Sequence, residues 1–242
     1  MSLPRFFCAT ALAVGDAIAL PDGPAHHALR VLRLSPGSEI VLFNGQGGEY
    51  RARLLPEGKN VTITHFDPVE RELSLDITLA QGIPSGDKMD WVIEKAVELG
   101  ARRLTPIDAQ RSIVQLRGDR LAKRMQHWRR VAQSASEQCG RNRLMRVDEP
   151  MTLDACVTRC SQENRTILFC DPDAPSRLAQ AVAGARQAVT LLVGPEGGWS
   201  PQEQDIIQKR ELIALRFGNR ILRTETAGLA LIAAVSALKT EG

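Results

Sequence analysis

Residues 189–203 read Val-Thr-Leu-Leu-Val-Gly-Pro-Glu-Gly-Gly-Trp-Ser-Pro-Gln-Glu. Val189, Leu191, Leu192 and Val193 form a short apolar run, the pattern of a strand covered on both faces. Gly194, Pro195, Glu196, Gly197 and Gly198 follow. Glycines at the end of a buried strand let the chain turn sharply and approach a ligand closely. A helix start comes next: Ser200 can cap it, Pro201 suits its first turn, and Glu203, three residues after Ser200, completes a capping box. The unit is strand, glycine-rich loop, helix, and ligands of open α/β sheets sit beyond the carboxyl ends of such strands. The loop is neither a Walker A sequence nor Gly-x-Gly-x-x-Gly. On spacing alone, a plain structural turn and a ligand loop stand on equal terms.

Residues 217–227, Phe-Gly-Asn-Arg-Ile-Leu-Arg-Thr-Glu-Thr-Ala, shift that balance. Leu212, Ile213, Ala214 and Leu215 make another short apolar strand, broken at Gly218, and an Ala/Leu-rich helix then runs to about Leu238. Thr224 or Thr226 can cap this helix, and Glu225 suits its positive end. Neither role accounts for Arg223, whose charge is poorly placed at a helix N-terminus. A ligand carboxylate, or a substrate that becomes negative, accounts for it.

The segments GPEGGWSPQE and FGNRILRTETAG, in this order, resemble the RsmE family of small-subunit ribosomal RNA uridine-N3 methyltransferases, within the SPOUT superfamily. The likeness extends over nearly the whole chain. Trp199 stands where Phe is usual, and Asn219 where Pro is common. The resemblance implies an α/β fold: a C-terminal, trefoil-knotted SPOUT domain with a mostly parallel sheet, preceded by a small PUA-like β-barrel that holds RNA. Knots are otherwise almost absent from proteins, and spacing does not indicate one. It further implies S-adenosylmethionine bound in the knotted loops, methylation of N3 of a uridine in 16S ribosomal RNA of the small ribosomal subunit, and a cytoplasmic homodimer. A SPOUT methyltransferase of another RNA, such as transfer RNA, and a non-catalytic RNA-binding or assembly protein are the alternatives.

Carried onto this chain, the resemblance places the cofactor against Leu192, Gly194, Pro195, Glu196, Gly197, Gly198, Phe217, Gly218, Ile221, Leu222, Thr224, Thr226 and Ala227. Backbone groups do most of the binding, and Ile221 and Leu222 flank the adenine. A third ligand loop is expected where Asp171-Pro172-Asp173 ends the strand Thr166–Cys170. Arg223 is the first catalytic candidate, stabilising a developing negative base. Glu225 comes next, orienting a donor or accepting a proton, with Glu196 as the other carboxylate; the general base itself stays unassigned. N3 takes part in base pairing, so the target must be unpaired or splayed out.

Charge points to a polyanionic partner. The chain carries a net charge of +3, yet residues 101–147 hold twelve Lys or Arg and three acids, so the remainder is net acidic. Arg117, Arg120 and Arg124 are the RNA candidates there. Arg5, then Arg30 and Arg33, three apart on one expected helix face, add to them. Arg141 and Gln138, in the segment Ser136–Arg141, complete the set.

The 242 residues allow one large domain or two smaller ones. Short alternating strands with glycine turns, such as Tyr50, Ala52 and Leu54 against Arg51 and Arg53, predict a small β-barrel over 1–72. From there strands alternate with helices, Leu73–Leu79, Met89–Val97, Leu104–Ile107 and Arg120–Ser136 among them, predicting an α/β domain over 73–242. Lys88, Glu94, Lys95 and Glu98 lie on the polar part of the first of these helices, and Glu94 and Glu98 read as surface ion-pairing residues. The five cysteines, Cys8, Cys139, Cys156, Cys160 and Cys170, are scattered, so a reduced cytoplasm without a disulfide framework is expected. Neither a metal site, a membrane span nor a signal peptide is expected.

Overall fold

The computed structural model describes residues 3–174, 178–210 and 212–240. The chain divides into two compact units, Met1–Glu72 with Ser136–Leu144, and Leu73–Ala135 with Met145–Gly242. The division at residue 72 and the single stretch 73–242 read from the sequence therefore differ from this at one place. Ser136–Leu144 belongs with the N-terminal unit, and its side chains show why. Arg141 forms a two-pronged pair with Glu72, Nε to Oε1 at 2.8 Å and Nη2 to Oε2 at 2.5 Å, with side chains only 5% and 4% exposed. Asn142 donates to the Val69 carbonyl and accepts from Arg5 Nη2 at 2.6 Å. Glu137 accepts from the Phe7 backbone N–H at 3.0 Å.

In the first unit, β1 (Arg5–Phe7), β2 (Ala17–Ala19), β3 (Glu39–Phe43), β4 (Glu49–Leu54) and β5 (Asn60–Asp67) form a five-stranded sheet. Its order is β1-β3-β4-β5-β2; β1 runs parallel to β3 and the other pairs are antiparallel. Strand pairing leaves β1 and β2 at the edges, so the expected barrel is not closed by hydrogen bonds among the described residues. Period-two alternation holds on β4: Ala52 and Leu54 face the core with Ile40, Leu42, Val61 and Ile63, while Arg51 and Arg53 face out. Helix α1 (Asp22–His26) and a π-helical turn (His27–Val31) bury Ala25 and Ala28 in the same core. The β3–β4 turn needs glycine at Gly48, where φ is +66° and a Cβ would lie 2.5 Å from the Phe66 ring.

In the second unit, six strands make a wholly parallel sheet: β6 (Asp76–Gly82), β7 (Arg103–Ile107), β8 (Arg146–Val147), β9 (Thr166–Cys170), β10 (Ala188–Val193) and β11 (Ile213–Leu215). The helices are α2 (Lys88–Glu98), α3 (Gly118–Cys139, its last turn in the first unit), α4 (Leu153–Gln162), α5 (Leu178–Ala183), α6 (Pro201–Lys209) and α7 (Thr224–Thr240). Leu79 and its register partner Leu191 face α7, whose Leu231, Ile232 and Val235 are fully buried. Ala80 and Leu192 face the other way, onto Cys156, Val157 and Cys160 of α4 and Ile207 of α6. Strand β6 starts three residues later than alternation suggests. It is buried continuously from Ile77 to Gly82, and a strand covered on both faces carries no alternation to read.

The strand order is β11-β9-β10-β6-β7-β8. The chain builds outward from β6 through β7 to β8. It then returns to the other side, inserts β10 between β6 and β9, and adds β11 beyond β9. The order reverses at the β6–β10 pair, the place where open parallel sheets hold ligands beyond the carboxyl ends of their strands.

Candidate active site

The loops after β9, β10 and β11 line one cavity of about 920 Å³, within the usual range for small-molecule sites. Phe169, Val193, Trp199, Leu212 and Ala214 supply an apolar floor. Gly194–Glu196, Asp171–Asp173, Arg223, Thr224 and Glu225 supply polar walls, with Ile221 and Leu222 adding apolar surface. Two local devices shape it. The Ser200 hydroxyl accepts from Glu203 N at 3.2 Å and the Glu203 carboxylate accepts from Ser200 N at 2.8 Å, the capping box read from the sequence. The other arm of Glu203 accepts from Gln110 N at 3.0 Å, which pins the α6 start to the β7 side. Trp199 lies over Gly194, where a Cβ would stand 3.1 Å from the indole nitrogen, so a side chain here would have to push the indole back.

Thr224 does not cap α7. Its hydroxyl accepts from the buried Gln81 amide at 2.8 Å and donates to the Gly194 carbonyl. It thus joins β6, the β10 loop and the start of α7. The backbone carbonyl of Arg223 closes the first helical turn instead, accepting from Thr226 N and Ala227 N at 2.9 Å. The Arg223 side chain is exposed at the cavity wall, with no hydrogen-bond or ion-pair partner among the described residues.

The two carboxylates of the site differ. Glu196 accepts from the Ser85 hydroxyl and Lys88 Nζ, both at 2.9 Å, and from Ser85 N at 3.1 Å. Burial pushes its carboxyl up, but Lys88, Ser85 and nearby backbone N–H groups outweigh this and hold it at about 2. Glu225 keeps one oxygen 3.6 Å from Lys88 Nζ, and its Oε2 is buried with no hydrogen-bond partner. Lys88, read from the sequence only as part of the polar face of its helix, stands in the cavity wall between them. Cys170 also lines the cavity, but burial and then Asp171 push its thiol up to about 11, so it carries no thiolate at neutral pH.

Of the residues expected at a cofactor, the cavity gathers Gly194, Pro195, Glu196, Gly198, Ile221, Leu222, Thr224 and Ala227, with Arg223 and Glu225. It leaves out five. Leu192 is one pleat too early, in the core. Gly197 turns toward the Arg111 carbonyl, 2.9 Å from where its Cβ would be. Phe217 and Gly218 form the turn leaving β11, and Thr226 points outward from α7. The Asp171-Pro172-Asp173 loop is in place. Sequence reasoning missed Lys88, Trp199, Leu212 and Ala214 as lining residues; apolar residues at strand ends read as core, and only the three-dimensional strand order shows them opening onto a cavity.

The RNA candidates separate. Arg5 and Arg141 are corrections: Arg5 is half-buried and pairs with Glu49 at 2.5 Å, Arg141 is buried and pairs with Glu72, and both tie parts of the first unit together. Gln138, Arg30 and Arg33 are exposed. Arg33 has φ +53° and lies beyond the π-turn, so the shared helix face expected for Arg30 and Arg33 does not exist. Arg117 pairs with Asp108 at 2.8 Å and Arg124 approaches Asp87 at 3.4 Å. Arg120, exposed beside Lys123, has no partner among the described residues. Among those residues, no group of three or more His, Cys, Asp or Glu could hold a metal ion, the five cysteines are free, and no helix is long and apolar enough to cross a membrane.

Residues 71–236 match an RNA methyltransferase domain and residues 20–64 an RNA methyltransferase PUA domain. The ribosomal RNA small subunit methyltransferase E of Bacillus subtilis (strain 168) is 30% identical over 220 residues, 87% of this chain and 86% of that one. The crystal structure of the Neisseria gonorrhoeae ribosomal RNA small subunit methyltransferase E bound to S-adenosyl methionine superposes with a TM-score of 0.89 at 38% identity, covering 98% of each chain. A putative methyltransferase of Legionella pneumophila in complex with S-adenosylmethionine gives 0.84 at 31% identity, covering 100% of this chain and 99% of that one. With a parallel sheet whose switch point opens onto a cavity, and both domain types matched, this chain belongs to the ribosomal RNA small subunit methyltransferase E family.

Proposed function

We propose that this chain transfers a methyl group from S-adenosylmethionine to N3 of a specific uridine in 16S ribosomal RNA, within the small ribosomal subunit. The observation that carries the reading is the pairing, in one cavity, of a free guanidinium, Arg223, with a carboxylate oxygen, Glu225 Oε2, that is buried without a partner. An imide N–H that becomes an anion as it reacts needs one group of each kind.

The cavity suits the cofactor. Ile221 is 84% exposed at its wall, a costly place for an isoleucine unless an apolar ring covers it; with Leu222, Leu212 and Ala214 it offers such a ring a bed. Gly194 and Gly198 bring bare backbone to the wall. The cofactor, when bound, supplies a methyl group already activated on a sulfonium. Glu225 Oε2 accepts the N3 proton, and Arg223 stabilises the negative charge left on the uracil. Glu196 is a poor base, because hydrogen bonds from Ser85 N, Ser85 Oγ and Lys88 Nζ stabilise its ionised form. Its role is to tie the loop after β6 to the loop after β10, and Lys88 bridges the two carboxylates.

A cytoplasmic homodimer belongs to the same reading. Trp91 of α2 and Leu238 of α7, on helices that pack against each other, are 45% and 47% exposed and supply apolar surface that a second copy would cover. The knotted path of SPOUT domains belongs to it too, and the insertion of β10 between β6 and β9 supports it. The test is incubation with labelled S-adenosylmethionine and small subunits lacking native modification, followed by nucleoside mass analysis. Label in 3-methyluridine of the 16S RNA is the expected result; label in another nucleoside overturns the specificity.

A further inference from the structure

The helical segment of the first unit ends in a way its own packing does not require. Helix α1 passes into the π-turn, where Leu32 N donates to the His27 carbonyl at 2.9 Å. Leu34 N then reaches back to the Ala28 carbonyl at 3.0 Å. Between them Arg33 sits at φ +53°. A left-handed residue that closes a helix end in this manner is ordinarily glycine. The only other non-glycine residue at positive φ among those described is Asn164, a type that tolerates the conformation; arginine has no such tolerance.

The strain has no return inside the molecule. Arg33 and Arg30 are exposed and have no hydrogen-bond or ion-pair partner among the described residues. Val31 and Leu32, between them, are 60% and 42% exposed. The turn directs Ala28 into the core and sends these four side chains out. π-turns and strained non-glycine residues gather at functional sites. A ligand that meets both unneutralised guanidinium groups and bare aliphatic surface must be anionic at regular intervals and carry flat apolar faces. Unpaired RNA has that chemistry, phosphates for the arginines and splayed bases for Val31 and Leu32. Residues 20–64, which enclose the turn, match an RNA methyltransferase PUA domain.

We propose that the π-turn edge Arg30-Val31-Leu32-Arg33 is a contact for a single-stranded stretch of the RNA substrate, with Arg33 held in a strained conformation so that its guanidinium meets a phosphate. This rests on the reading of the chain as acting on RNA. The experiment is fluorescence anisotropy of the full chain with a labelled single-stranded oligoribonucleotide across a salt series, alongside thermal unfolding and light scattering. Arg33→Gly keeps or raises the melting temperature while binding roughly tenfold more weakly, with a log–log salt slope smaller by about 1. Leu32→Ser weakens binding and leaves the slope unchanged. Wild-type affinity and slope in Arg33→Gly overturn the proposal while the RNA reading stands. So does a Leu32→Ser variant that changes molar mass but binds RNA as before, since the edge then packs on protein. A wild-type chain that binds no RNA removes both.

Discussion

Arg223, Glu225 and Glu196 sit within one cavity wall, and their surroundings differ enough for a different task to be proposed for each. Arg223→Ala is expected to lower turnover by about 10²–10³-fold and to leave the cofactor dissociation constant, measured by calorimetry, within a few-fold; equal loss of both reassigns Arg223 to cofactor binding. Glu225→Gln removes the proposed proton acceptor and is expected to cost about 10²–10⁴-fold in single-turnover rate, with retained cofactor affinity. Glu196 is distinguished by pH. Its carboxyl lies at about 2 against an ordinary 4.5. A depressed carboxyl adds stability above its unfolded value and loses it as pH falls toward the folded one, so the loss runs from about 4.5 down to about 2. Glu196→Gln therefore flattens the acid limb of stability in that window, and an unchanged limb refutes the assignment. The sequence singled out Arg223 because a cation at a helix N-terminus has no structural reason to be there. It placed Glu225 ahead of Glu196 without a physical ground for the order, because what separates them, Ser85 and Lys88, lies 111 and 108 residues from Glu196 along the chain.

Elements were legible where their signal is local. The β10 strand, its glycine loop and the Ser200–Glu203 box all lie within residues 189–203, and every group the box needs is three residues away or nearer. Ser200→Ala is expected to cost about 1 kcal/mol in denaturant unfolding. Thr224 shows the limit of local reading. A threonine at a helix start fits a cap, yet here the hydroxyl serves Gln81 and Gly194, and Gln81 lies 143 residues away. The segment Ser136–Leu144 shows it again, since Arg141 looked like an RNA contact until Glu72 filled its guanidinium. Arg141→Ala strands the Glu72 carboxylate in a site where its side chain is 4% exposed, and is expected to destabilise the chain by about 3–5 kcal/mol. The double change Arg141→Met with Glu72→Met recovers most of that loss, whereas an RNA-contacting Arg141 would show normal unfolding and reduced RNA affinity.

At the scale of the whole molecule the question is where the positive charge of residues 101–147 goes. Among the described residues, seven of its twelve cations, Arg103, Arg117, Arg124, Arg129, Arg141, Arg143 and Arg146, meet an acidic side chain, and all but Asp108 of those acids lie outside the segment. The basic excess in sequence is thus partly answered by the acidic remainder of the chain once it folds, which no window of sequence can show. What stays available is a smaller set. Arg120 and Lys123 stand on one face of α3, beside a concavity of about 620 Å³ that also takes in Arg124 and His127. His127 itself is 2.5 Å from Asp90. Each cation that neutralises a phosphate on binding adds about 0.7–0.9 to the salt slope for nucleic acid. The double variant Arg120→Gln/Lys123→Gln is therefore expected to lower the log–log salt slope for RNA by about 1.4–1.8. Arg129→Gln, which removes a cation already paired with Glu149, should lower it by much less. Equal slopes for both variants would mean that α3 presents a solvated face and that the RNA is held elsewhere.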